Sequence, residues 1–441
     1  SWEWDFEVDL SEFDDPDCVR HVDIDSTASD PDGLAWTTAY PDVQSGIDSA
    51  YMEILDNPDV AKCHVWVAEG DYRIYEYYEG DTVLLRSGIA VYGGFDGTET
   101  ALEERDWVGN ETILDGRGEG LEELYQVQHV VTGADGSLID GFTVRFGHAD
   151  TDDCESSMGC YGGGMLVDGS DSYVVNCTFS ENWAKHSGGG LFSDYASEVA
   201  VIGCQFADNT SDWQGGGMGD MSGDAVVVYS SFVGNVADEG GGMHIDVSGT
   251  NHVLVANVVF TDNSASQSGG GIFNSGGSSL SIDIANSVFW GNQAESGGAI
   301  GIDNGNPDIA GCTFYGNTAT AAGAVYLQSG DGLEISGCVA WGNSTPQIDS
   351  MWSFDVISVD HSDVQGGFDG EGNIDANPLF VAPGSGNFAL QSGSPCIDAA
   401  DGDRMPSADI LGNPRVDDPG TTNTGVGSPD YADMGAYEFQ P

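Results

Sequence analysis

Four side chains bearing oxygen ligands alternate along the stretch DVQGGFDGEGNID (363–375): Asp369, Glu371, Asn373 and Asp375. Alternating oxygens on a glycine-rich loop suit a hard cation such as Ca2+, although the spacing is not that of an EF-hand. Asp150, Asp152 and Asp153 form a second such set in an acidic insertion, ADTDDCESSMGCY (149–161). Ca2+ is thus the one cofactor expected here, and as solvated turns both stretches need no metal. Elimination from an acidic polysaccharide needs a basic proton abstractor and cations against the substrate carboxylate. Between residues 120 and 400 the only Arg or Lys residues are Arg145 and Lys185. Hydrolytic carboxylate pairs are available anywhere among 73 Asp and Glu, so they single out no site. No Cys-x-x-Cys pair or His-rich spacing suggests zinc. For binding there is one positive feature: Trp290, Tyr315 and Trp341 occupy the same outward position in three consecutive repeats. Stacked in register they form an aromatic strip that can hold sugar rings or another protein, unless the C-terminal segment covers it.

What must position these groups is a unit written seven times between Tyr161 and about Asn343. Each copy has Phe followed three residues later by Asn: Phe179/Asn182, Phe206/Asn209, Phe232/Asn235, Phe260/Asn263, Phe289/Asn292, Phe314/Asn317, and Ala340/Asn343 as a weakened last copy. Such a period, with short alternating apolar runs and no helical spacing, reads as a parallel β-helix in which each repeat is one coil. The residue two before Phe is small (Cys177, Cys204, Ser230, Val258, Ser287, Cys312, Cys338), as a crowded core column demands. The Asn column fits a turn whose amides bond one another from coil to coil. Glycine runs precede a second apolar column, Leu191, Met218, Met243, Ile272, Ile300 and Val325. They recur in every coil, whereas a phosphate cradle occurs once before a helix, so a corner is the better reading. Coil length varies between that column and the next Phe, which places the variable turns on one side, where solenoids meet partners.

The net charge of −63 excludes nucleic acid, which needs a basic patch, and an anionic membrane surface. No apolar run is long enough to span a bilayer. The opening Ser1-Trp2-Glu3, without Met, fits a mature secreted chain whose signal is gone, and an artificially trimmed chain would open the same way. Cys18 with Cys63, and Cys154 with Cys160, are expected disulfides. Cys177 with Cys204, and Cys312 with Cys338, lie one coil apart and are either bonded or packed as free thiols. Pro41 starts a helix over about 42–55 whose stripe Val43, Ile47, Ile54, Leu55 caps the open end of the stack. The expected divisions are 1–21 (acidic tail or added edge), 22–116 (cap and first coils), 117–350 (repetitive body) and 351–441 (last coils and cap).

The runs "VDIDSTASDPDGLAWTTAYPDVQSGIDSA" (22–50), "VWVAEGDYRIY" (65–75), "SGIAVYGGFDGTETALEERDWVGNETILDG" (87–116) and "LIDGFTVRFGHAD" (138–150) resemble the opening of a large group of bacterial secreted right-handed parallel β-helix proteins. Gly297-Gly298-Ala299-Ile300 and the Phe/Asn pairs are similar to the repeats of polymorphic outer-membrane adhesins. The end, from "VDHSDVQGGFDGEGNIDANPLFV" through "DILGNPRV" to "DMGAYEF", resembles the surface-anchor-associated C-terminal region of the same secreted group. Cys396 departs from it, standing where the group usually has Ala, and no sorting motif follows Phe439. The Asp360-His361 pair, superficially a lyase motif, falls within this C-terminal pattern. The resemblance implies an all-β right-handed parallel β-helix of about a dozen coils and an extracellular address, with no shared catalytic residues. The expectation is a secreted or cell-surface scaffold, adhesin-like or a subunit of an extracellular assembly or filament, non-catalytic. Its partners would be a surface glycan, a protein or copies of itself. The rival is an extracellular polysaccharide-degrading hydrolase or lyase.

Overall fold

The computed structural model describes residues 8–14, 16–118, 125–151, 154, 158–194, 198–220, 223–246, 252–277, 281–330, 332–351 and 356–441. Asp152 and Asp153 lie outside them. The chain winds about 10 turns of parallel β-solenoid and divides into two compact units, Glu7–Asp224 and Ala225–Pro441.

A typical coil of the first unit carries three strands, Ser172–Val175, Thr178–Ser180 and Leu191–Asp194, one for each long sheet. One residue with left-handed backbone turns the corner between the first two, such as Asn176 (φ 48°) or Gly203 (φ 65°). Asn tolerates that region, and its side chain bonds the neighbouring coil, as Asn176 Nδ2 does to Asp140 Oδ1 at 3.0 Å. Identical positions then stack in parallel register: Val174 on Val201, Phe179 on Phe206, Leu191 on Met218. In the second unit the register runs Val255–Ile284–Ile309–Ile335, Phe260–Phe289–Phe314 and Ile272–Ile300–Val325. The stacked Phe rings lie 4.8–5.1 Å apart, the strand spacing itself.

The Asn columns are hydrogen-bonded ladders. Asn182 N–H and Nδ2 both donate to Asn209 Oδ1 (3.1 and 3.0 Å). The same pairing links Asn235 to Asn263, then Asn292, Asn317 and Asn343. The Nδ2 of Asn182, Asn209, Asn263, Asn292, Asn317 and Asn343 also donates to a carbonyl one coil back, as Asn263 does to Phe232 O at 2.9 Å. Cys177, Cys204, Cys312 and Cys338 are buried free thiols. The Sγ–H of Cys312 and of Cys338 donates to a backbone carbonyl (Ile284 O and Ile309 O, each 3.6 Å), so this column packs as small apolar groups.

The start of the first unit is tied down covalently. Cys18–Val22 is the first strand, paired in parallel with Cys63–Ala68, and Cys18 is disulfide-bonded to its register partner Cys63. The helix spans Val43–Asp56, capped by Asp42, which accepts from Ser45 N–H at 2.7 Å. Its buried face is Val43, Gly46, Ile47 and Ala50. The expected stripe needs correction at its end, because Leu55 is 59% exposed. The helix lies so close to the coil that a Cβ on Gly46 would fall 2.5 Å from Val22 Cγ2. Small residues therefore make the contact, and the last turn runs past it.

In the second unit the chain leaves the coil after Ile374 for a short antiparallel hairpin, Phe380–Ala382 with Asn387–Leu390. The remainder is irregular and buries acids: Asp398, Asp433 and Glu438, with Arg415 donating to Glu438 Oε2 at 2.9 Å. Burial, with repulsion from Asp417 and Asp418, pushes Asp398 up to about 6. Burial and the Glu438 charge push Asp433 up to about 8. Raised carboxyls stabilise the fold fully below the ordinary aspartate value of 3.8, and that stabilisation is lost as pH rises through about 6 and then about 8. Asp398 Oδ2 is buried without a hydrogen-bond partner. Removing its charge in Asp398→Asn is expected to stabilise the unit by about 1–3 kcal/mol at pH 8 and not at pH 4. Thermal melts at the two pH values check this, and equal shifts at both would refute it.

Candidate functional site

The first unit collects three of the chain's few cations on the outer face of its second sheet. Register places Arg73 (on Gly70–Tyr75), Asp115 (on Thr112–Gly118) and Arg145 (on Phe142–Arg145) in one column. The Asp115 carboxylate is fully buried and accepts from Arg73 Nη1 (3.0 Å), Arg117 Nη2 (2.7 Å) and Arg145 Nε (2.9 Å). Asp71 Oδ2 takes second bonds from Arg73 and Arg145 (3.0 and 3.2 Å). The Arg117 guanidinium lies 3.7 Å from the centre of the Phe146 ring. Burial would raise the Asp115 carboxyl, but hydrogen bonds from Arg117 and the charges of Arg73 and Arg117 hold it below the ordinary value. Arg145 is therefore locked in an ion-pair ladder and is not a free electrophile or base.

A groove of about 770 Å³ opens beside this ladder, lined by Asp71, Arg73 and the helix start. Apart from the exposed Glu76, its acids already have structural duties. Asp42 caps the helix, and Asp48 pairs with Arg86. Asp81 Oδ2 accepts three backbone N–H groups, from Glu76, Tyr77 and Tyr78. Carboxylates committed in this way are poor hydrolytic acids or nucleophiles.

The expected aromatic strip exists but is covered. Trp290, Tyr315 and Trp341 share register and are only partly exposed. They pack against Phe380, Phe388 and Leu390 of the C-terminal hairpin. Phe388 lies 5.4 Å from Tyr315 and 6.1 Å from Trp290 between ring centres. As an open platform the strip is corrected: its apolar area is spent on docking the chain's own end. The turn proposed for Ca2+ is closed by its own bonds. Asn373 donates to Val359 O and Phe368 O and accepts from Ser362 N–H, while Asp375 Oδ1 accepts from Gly366 N–H. Asp369 and Glu371 are exposed there. Asp150 is paired with Lys185 at 3.0 Å.

A second set of rings is open, and sequence reasoning missed it. In the first unit His148, just after the second-sheet strand, stacks on its register partner Trp183 at 4.5 Å, 20° from parallel. In the same stretch of coil His186 meets Trp213 edge-on at 4.4 Å and Tyr161 at 4.6 Å. His148 is exposed, Trp183 and His186 are partly exposed, and Trp213 is 45% exposed. Burial lowers the pKa of both imidazoles, opposed at His148 by Asp150 and Asp212, which favours the uncharged ring. Lys185 Nζ also donates to Thr151 O at 3.2 Å, which ties down the root of the acidic insertion, and Cys154–Cys160 closes its loop. The signal was there: each Trp falls between its Asn and the following glycines, one or four residues past the Asn (Asn182/Trp183, Asn209/Trp213).

Residues 133–289 match the family model described as the right handed beta helix region. The fold class is accordingly a right-handed parallel β-helix, mostly β with one helix. A search of curated proteins finds no match. The two disulfides suggest a protein outside the cytoplasm, and among the described residues no helix is long and apolar enough to cross a membrane.

Proposed function

We propose that this is a secreted or cell-surface β-helix scaffold, adhesin-like and without catalysis of its own, that holds a surface glycan on its open aromatic strip. The carrying observation is the pair of ring contacts His148/Trp183 and His186/Trp213, exposed on the side of the coil that also carries the disulfide-closed insertion. Flat rings beside polar groups suit sugar faces, with Lys185, Asp212 and Gln214 at hand for hydroxyls. The spent arginines and carboxylates of the ladder and groove support a binding role over a chemical one. One observation favours the rival enzyme: Asp150, paired with Lys185, and Asp212, the residue before Trp213, bring two carboxylates to the stretch that carries the strip.

A glycan panel separates the two readings. The intact chain is expected to retain at least one glycan unchanged, and Trp183→Ala or Trp213→Ala should weaken that binding by roughly tenfold or more, about 1.4 kcal/mol. Turnover of the glycan that disappears in Asp150→Asn or Asp212→Asn would instead establish the enzyme. Glycan binding indifferent to both tryptophans would remove the strip from the mechanism.

A further inference from the structure

The second unit brings together three potential metal ligands from distant parts of its sequence. Asp360 ends the strand Ile357–Asp360 of the last coil, His361 follows it, and Asp401 belongs to the irregular C-terminal segment. One ligand atom from each lies within 4.8 Å of the others. A tetrahedral ion with bonds of about 2.1 Å separates its ligand atoms by roughly 3.4 Å, so small side-chain rotations complete the geometry.

The imidazole itself points to a missing ligand. His361 is 6% exposed. Its Nδ1 meets Asp360 Oδ1 only at 3.4 Å, longer than an ordinary hydrogen bond. Buried polar groups are ordinarily well paired, and imidazole is the commonest metal ligand in proteins, so a buried ring held by so long a contact suits a stronger partner. The carboxylates are already oriented. Asp360 Oδ1 accepts from Ser336 Oγ at 2.6 Å, and Asp401 Oδ1 accepts from Asp403 N–H at 3.1 Å, so Oδ2 of each is free to bind. The nearest opposing cation, Arg404, is held by Asp308 and Glu334.

We propose that Asp360, His361 and Asp401 bind one divalent transition-metal ion of the Zn2+ class, which clips the C-terminal segment to the last coil. The imidazole sets the class, because nitrogen ligands favour Zn2+ and its neighbours over Ca2+ and Mg2+. Three protein ligands leave a fourth position for water.

The test is calorimetric titration of the full chain with Zn2+ alone, in salt high enough to screen the 73 acids. The expected result is a single one-to-one site that excess Ca2+ does not displace. His361→Gln and Asp401→Asn should each weaken it tenfold or more, while Asp375→Asn leaves it unchanged. Co2+ in place of Zn2+ should give visible absorption bands that both ligand variants abolish. Circular dichroism identical to the parent shows that each variant is folded, and Asp401→Asn, at a partly exposed residue, keeps the test alive should His361→Gln not fold. Absence of stoichiometric Zn2+ binding, or a site that survives both substitutions, overturns the proposal.

Discussion

Asp115→Asn is expected to lower the stability of the first unit by about 3 kcal/mol at neutral pH, the low end of what a broken buried ion pair costs. The substitution keeps the shape of the side chain and removes the one charge that serves three guanidinium groups. Asp71, 37% exposed, then remains as the acidic partner of Arg73 and Arg145, and Arg117 keeps its contact with Phe146. The arginines are themselves 20–34% exposed, so water recovers part of the loss. Urea midpoints give the magnitude, and hydrogen exchange in Gly70–Tyr75 and Thr112–Gly118 gives the location. A loss below about 1 kcal/mol would mean that the ladder does not stabilise the fold. The pH dependence has a definite sign. The Asp115 carboxyl is held below its ordinary value, so its stabilisation is present above that value and lost as pH falls through the lowered one. The buried acids of the C-terminal segment do the reverse, which makes the two units distinguishable by pH alone.

Asn263→Ala in the second unit is expected to cost about 3–5 kcal/mol, more than a typical core truncation of so small a side chain. Its amide oxygen accepts from both Asn235 N–H and Asn235 Nδ2, and its Nδ2 donates to Phe232 O and Asn292 Oδ1. The residue is fully buried, so water replaces none of these bonds. Each orphaned group carries a desolvation penalty of about 1–3 kcal/mol. Phe260 and Phe289 stack beside it and keep the coil from relaxing around the gap. Denaturant unfolding measures the effect. If Asn263→Ala behaved like a surface substitution, within about 0.5 kcal/mol of the parent, the ladder would be an accident of turn chemistry.

Much of this architecture was legible because a solenoid is nearly one-dimensional. A residue's neighbours are its equivalents one coil away, so a column in space is a period in the text. The Phe and Asn columns, the small column holding Cys177 and Cys312, the helix near 42–55 and the Cys18–Cys63 pair all follow from that rule or from local start signals. Leu55 was misplaced because the periodic stripe counts apolar residues, whereas the close approach at Val22 demanded Gly46 and Ala50.

The sites were less legible. Period alone says which residues stack, not what lies over them. Trp290, Tyr315 and Trp341 stack as their spacing implies, yet the decision between platform and core belonged to Phe380 and Phe388, about forty to a hundred residues later in the chain. The arginine ladder joins Arg73, Asp115 and Arg145 across the irregular first coils, where no fixed period announces the register. Asp401 reaches Asp360 and His361 only through the path of an irregular segment. By itself the sequence determined the coil, its ladders, its helix and its disulfides, because those depend on neighbours at fixed separation. Only the tertiary structure decided which aromatic strip is open, which charges are spent and which acids meet a histidine, because those depend on where non-repeating segments pack.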